Sequence, residues 1–73
     1  MKPLLMRQIW YIINETQTQI LLELNSNELV DQLLLKLEQQ RPLSPEENNH
    51  VRNYLSSKTA LIRDLAYARM WRY

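Results

Sequence analysis

Arg41-Pro42-Leu43-Ser44-Pro45-Glu46-Glu47 decides how this chain folds. Pro42 disfavours helical backbone at Arg41, so a helix arriving from the N-terminal side stops there. Ser44 is a natural N-cap, and Pro45 suits the first helical position. Glu47 stands three residues after Ser44, the spacing of a reciprocal capping box. Glu46 and Glu47 also complement the positive end of the new helix dipole. One helix ends, the chain turns within a few residues, and another helix begins.

The pattern continues on both sides of this turn. Downstream, Val51, Leu55, Ile62, Leu65 and Ala66 make an inner helical face, with Tyr54, Leu61 and Ala68 alongside. Ser56-Ser57 and Thr59 are candidate caps for a further helix. No proline or glycine enforces a break there, so one long helix from Pro45 is expected. Upstream, Leu29, Val30, Leu33, Leu34 and Leu37 form the stripe of a helix running roughly from Glu28 to Gln40. Asn25 is its N-cap, with Glu28 closing a second capping box and Ser26 as an alternative cap. A first helix is expected from Leu4 to Glu23, with Leu5, Ile9, Ile12, Ile13, Thr16, Ile20 and Leu24 sharing one face. The expectation is one all-α domain over residues 1–73: a helical hairpin plus a long C-terminal helix, three antiparallel helices in all.

Composition narrows the function. Not one of the 73 residues is glycine, and none is cysteine. Glycine-rich phosphate loops and dinucleotide turns are therefore excluded. So are thiolate chemistry, disulfides and cysteine-based zinc sites. Nine basic and eight acidic residues give a formal net charge of +1, which argues against a general polyanion binder. No stretch reaches the ~20 apolar residues of a spanning helix. Met1 and Lys2 are followed by Leu4, Leu5 and Met6, but no small-residue cleavage site follows, so a signal peptide is not expected. The chain reads as cytoplasmic, in line with its lack of cysteine.

Catalytic and metal-binding residues are not expected, and neither is a cofactor. His50 is the only histidine. Its neighbours Asn48, Asn49 and Arg52 supply no HxxxH or ExxH pairing, so it reads as solvated. Glu46 and Glu47 are explained by capping. Asp31 with Lys36, and Glu38 with Arg41, read as surface electrostatics. Lys58 and Arg69 stand within the apolar arc of the long helix, where charge is costly unless paired. They either snorkel at the edge of the core, are separated by a helix break that rotates one of them outward, or pair with acidic groups such as Glu15, Glu23 or Asp31.

A chain this short buries only roughly 60% of its unfolded surface, so oligomerisation is a natural reinforcement. Tyr11 and Leu22 lie opposite the main face of the first segment, and Leu35 lies opposite the stripe of the second. These three are the expected interface of a homodimer. The C-terminal run Arg63-Asp64-Leu65-Ala66-Tyr67-Ala68-Arg69-Met70-Trp71-Arg72-Tyr73 is the expected partner-binding surface. Arginine and large aromatics are enriched in binding hot spots, which singles out Arg52, Arg63, Tyr67, Arg69, Trp71 and Arg72. The expected function is a small non-enzymatic protein-interaction module, an adaptor or regulator of a larger assembly. A nucleic-acid-binding regulator is the alternative, because arginines beside aromatics can contact phosphate and stack on bases. Tyr54-Leu55-Ser56-Ser57-Lys58, followed by Ile62, resembles a helical stretch of the cyanobacterial fluorescence recovery protein family. The stretch is short and carries no site residue across. It adds regulation of a larger assembly to the options.

Overall fold

The computed structural model describes residues 2–70, which form four α-helices and, among those residues, no strand. They are α1 (Pro3–Glu15), α2 (Thr18–Glu23), α3 (Ser26–Gln40) and α4 (Pro45–Met70). The all-α expectation holds, but the expected first helix is two helices. Its break falls at Thr16-Gln17, where both residues leave the helical region, with ψ 137° at each. The cause is local competition for a carbonyl. Thr16 Oγ1 donates to Ile12 O at 2.7 Å, and the Thr16 N–H reaches both Ile12 O and Ile13 O. A threonine hydroxyl that bonds back to the preceding turn weakens the ladder and bends the helix. Thr16 is itself buried, so this bond is shielded from water.

The two capping boxes form as the spacing requires. Glu28 N–H donates to Asn25 Oδ1 at 2.9 Å, and Asn25 N–H donates to Glu28 Oε1 at 3.2 Å. Glu47 N–H donates to Ser44 Oγ and Ser44 N–H to Glu47 Oε1, both at 3.1 Å. Arg41 is extended, with φ −152° and ψ 120°, as the residue before Pro42 should be. The Ser57 and Thr59 hydroxyls donate to the carbonyls of Tyr54 and Ser56, so neither caps a new helix. α4 runs unbroken for 26 residues. At ~1.5 Å per residue that is about the full 39 Å length of the molecule.

Side-chain bonds fix the topology. Gln8 with Arg41, and Thr16 with Lys36, set α1 antiparallel to α3. Glu38 with Asn48, and Asp31 with Arg52, set α3 antiparallel to the first half of α4. Leu24 with Arg63 sets α2 back along the second half of α4. α1 and α4 then run in the same sense. Trp10 Nε1 donates to Tyr54 OH at 2.9 Å near one end, and Arg69 reaches the C-terminus of α1 near the other.

One core joins all four helices. It holds Leu5, Ile9, Ile12 and Ile13 of α1, Leu21 of α2, the expected five of α3, and Val51, Leu55, Ile62 and Ala66 of α4. Three expectations for the inner faces are corrected. The Thr16-Gln17 break rotates α2, so Leu21 is fully buried while Ile20 and Leu24 are only half-buried. Leu65 is exposed, although its neighbour Ala66 is buried. Val51, Leu55, Ile62 and Ala66 define the middle of the face, and Leu65 falls off its edge. Leu61 lies further out on the same flank and is exposed as well.

Candidate interaction surface

Absence of glycine shapes this surface. Helices commonly end on a left-handed residue, usually glycine, which lets backbone N–H groups satisfy the last carbonyls. Among the described residues none has positive φ. α1 and α2 end on extended residues, and neither has a basic residue in its own last turn. Their final carbonyls need donors from elsewhere, and α4 supplies them.

Arg69 Nη1 donates to Thr16 O at 3.2 Å. Its Nη2 donates to Ile13 O at 3.4 Å and to Asn14 Oδ1 at 3.2 Å. Arg63 Nη2 donates to Leu24 O at 2.7 Å, at the end of α2. Each guanidinium thus sits at the negative end of a helix dipole, where a cation is favoured. Lys36 Nζ adds a longer bond to Thr16 Oγ1 at 3.4 Å. The expected choice for Arg69, snorkelling, rotation outward or pairing with a carboxylate, is resolved by a different arrangement, a bond to backbone carbonyls. Lys58 is half-buried, with its ammonium 5.8 Å from the centroid of the Tyr54 ring.

The expected binding residues therefore separate. Arg63 and Arg69 are half-buried and face inward. Arg52 is on the surface, bonded to Asp31 at 2.6 Å, so Asp31 pairs with Arg52 rather than Lys36. Arg41 pairs with Glu47 at 3.5 Å, and Glu38 accepts from Asn48, so these two do not pair with each other. Tyr67 is exposed, in a concavity lined also by Ser26, Thr59 and Arg63. Trp71 and Arg72 lie outside the described residues. Of the expected dimer residues, Tyr11 and Leu35 are 56% and 54% exposed. Leu22 is half-buried and packs against the core, because the Thr16-Gln17 break removes the register that placed it beside Tyr11. His50 is exposed. Among the described residues no three His, Cys, Asp or Glu side chains cluster to hold a metal. No described helix is long and apolar enough to cross a membrane.

Leu61, Leu65 and Ala68 follow one another at steps of four and three residues on the flank of α4 that also carries Tyr54, with Lys58 between Tyr54 and Leu61. Leu61 and Leu65 are 44% and 41% exposed, one turn apart. On the outer side of α1, Pro3, Met6, Trp10 and Tyr11 line a separate shallow concavity with Arg7 and Asn14. Leu61 and Leu65 thus make an exposed apolar pair on one flank of α4. The sequence signal for it was ambiguous: Leu61 and Leu65 fall near the edge of the inner arc, and only the packing decides their side. Comparison with family models, with curated proteins and with solved structures finds no match to this chain.

Proposed function

We propose that this chain is a non-enzymatic protein-interaction module, an adaptor or regulator of a larger assembly, which binds through the C-terminal half of α4. The observation that carries the reading is the exposed pair Leu61 and Leu65. Single exposed leucines are ordinary, but adjacent ones continued by Tyr54 and Ala68 make a strip of the kind that marks an interaction site. Its occupant is an amphipathic helix of a partner protein, whose i, i+3/i+4 apolar residues match the helical spacing of Leu61, Leu65 and Ala68. Tyr67, and Trp71 and Arg72 beyond the described residues, extend the same end of the chain. A cytoplasmic location goes with this reading.

The inward bonds of Arg63 and Arg69 and the Asp31 partner of Arg52 favour this reading over nucleic acid. They occupy three of the cations that a phosphate backbone would need. The test is capture from lysate by wild type and by Leu61→Asp/Leu65→Asp, with and without nuclease, followed by helix-peptide titration of the captured protein. The reading expects salt-tolerant capture of one protein that the double variant loses. Equal capture by the variant defeats it. Nuclease-sensitive, salt-sensitive recovery favours the nucleic-acid alternative.

A homodimer through Tyr11 and Leu35 is a second proposal. It is favoured by the exposure of both side chains on neighbouring antiparallel helices. Sedimentation equilibrium should find a dimer that Leu35→Glu weakens. A monomer throughout the micromolar range removes the proposal.

A further inference from the structure

α2 is held differently from the other helices. It has six residues, well short of what an isolated helix sustains. The backbone is non-helical on both sides of it, with ψ 137° at Gln17 and 144° at Leu24, and Gln17 makes no side-chain capping bond. Leu21 is its one fully buried side chain. Its packing surface is the second half of α4, where Leu22 and Met70 share a concavity. Arg63 holds its C-terminal end through Leu24 O, and Arg69 holds the elbow before it through Thr16 O. Both latches come from one stretch of α4, less than two turns long. Arg63 Nε is buried without a hydrogen-bond partner, so this latch retains an uncompensated polar atom while closed.

We propose that α2 is a strap that opens and closes as a unit on α4, with Gln17 and Leu24 as hinges and Arg63 and Arg69 as latches. Opening breaks the Arg63 bond to Leu24 and withdraws Leu21. It uncovers the inner face of α4 around Ile62 and Ala66, both fully buried while the strap is closed. These residues adjoin Leu61 and Leu65 on the helix surface. The open strap therefore widens the apolar strip of α4 from a flank to a face, and the closed strap limits what α4 presents. The motion needs no partner, so it stands or falls apart from the assignment of one.

Native-state hydrogen exchange of the full chain, residue by residue and across low denaturant, tests this. The Leu21 and Leu24 amides, bonded to Gln17 O and Ile20 O, should exchange at least about tenfold faster than those of Val51 and Leu55, with little denaturant dependence, as for local opening. Arg63→Ala should speed the α2 amides by a further factor of about ten through loss of a charge-assisted bond; Val51 and Leu55, which exchange through global unfolding, should rise by a similar factor because the unfolded chain lacks that bond too, so the gap between α2 and α4 is kept. Arg63→Lys keeps the charge, shortens the fork and should give a smaller acceleration; it carries the test if Arg63→Ala does not fold. The strap is overturned if α2 and α4 amides exchange at one rate with one denaturant slope. The latch is overturned if neither substitution changes the α2 exchange rate.

Discussion

Two interruptions of this helical chain are built in opposite ways. At Arg41–Ser44 everything needed lies within seven residues: Pro42 stops one helix, and Ser44 and Glu47 cap the next through reciprocal 3.1 Å bonds. At Thr16-Gln17 the local signal is one threonine hydroxyl. The carbonyls it leaves behind are satisfied by Arg69, 53 residues away for Thr16 O and 56 for Ile13 O. The difference follows the two ends of a helix. An N-terminus needs acceptors, which short polar side chains supply from nearby in sequence. A C-terminus needs donors, and the usual local device is a left-handed glycine. At the ends of α1 and α2 in this glycine-free chain the donors come from elsewhere in the fold, and they are arginines of α4.

The largest expected effect tests the remote interruption. Arg69→Ala should lower stability by about 2–3 kcal/mol, because hydrogen bonds from charged groups are the strong ones and partly buried carbonyls are left unpaired. Urea unfolding measures it, and Arg69→Lys should recover less than half, since an ammonium does not reproduce the planar fork. A loss below about 0.5 kcal/mol would mean water satisfies those carbonyls and the contrast between the two interruptions disappears.

Next comes the local interruption. Ser44→Ala and Asn25→Ala should each cost about 1 kcal/mol through a lost N-cap. Near-zero cost at either would show that its box contributes nothing to stability. Because both caps are local, each effect should persist in an Arg69→Ala background, with the losses adding to within about 0.5 kcal/mol.

A pH measurement sharpens the same box. The Glu47 carboxyl is held below its ordinary value of 4.5, chiefly by the Ser44 backbone N–H and also by Arg41, against some burial. Its folded value therefore lies below its unfolded value. The stabilisation is fully present above the ordinary carboxylate range and is lost as pH falls through the lowered folded value. Between pH 6 and pH 3 the urea midpoint of wild type should fall further than that of Glu47→Gln. Parallel curves would remove the carboxylate from the account of the turn.

The smallest effect is expected at Arg52. Its bond to Asp31 is short, but the two side chains are 47% and 62% exposed. Arg52→Ala should cost no more than about 0.5 kcal/mol, and high salt should erase most of that. A loss as large as that of Arg69→Ala would show that the contrast between surface and carbonyl-bound arginines is misplaced.

Three of the four helix starts carry their signals in sequence. Pro3 and Pro45 occupy first-turn positions, and Asn25 and Ser44 stand at the required spacing from Glu28 and Glu47. The exception is α2, whose start has no side-chain cap and no proline. The apolar face of α3 was legible because five residues within nine positions repeat at helical spacing. The face of α4 was legible at its centre and not at its margin. Leu65 sits one position from Ala66, and a helix period alone does not say which of the two meets a neighbour. The exposed pair is not legible for that reason, and the backbone acceptors of Arg63 and Arg69 are not legible because a guanidinium in sequence shows its charge but not its acceptor, even at Arg69, which stands within the apolar arc.

By itself the sequence determined that the chain is helical, where α3 and α4 begin, and that no glycine would close a helix end. These follow from interactions within one or two turns, whose partners are fixed by spacing. Only the tertiary structure decided which carbonyls Arg63 and Arg69 reach, that the first segment is two helices, and that Leu61 and Leu65 stay in solvent. A helix C-terminus without glycine accepts a donor from any element that passes it, and which element passes is set by the packing of the whole bundle.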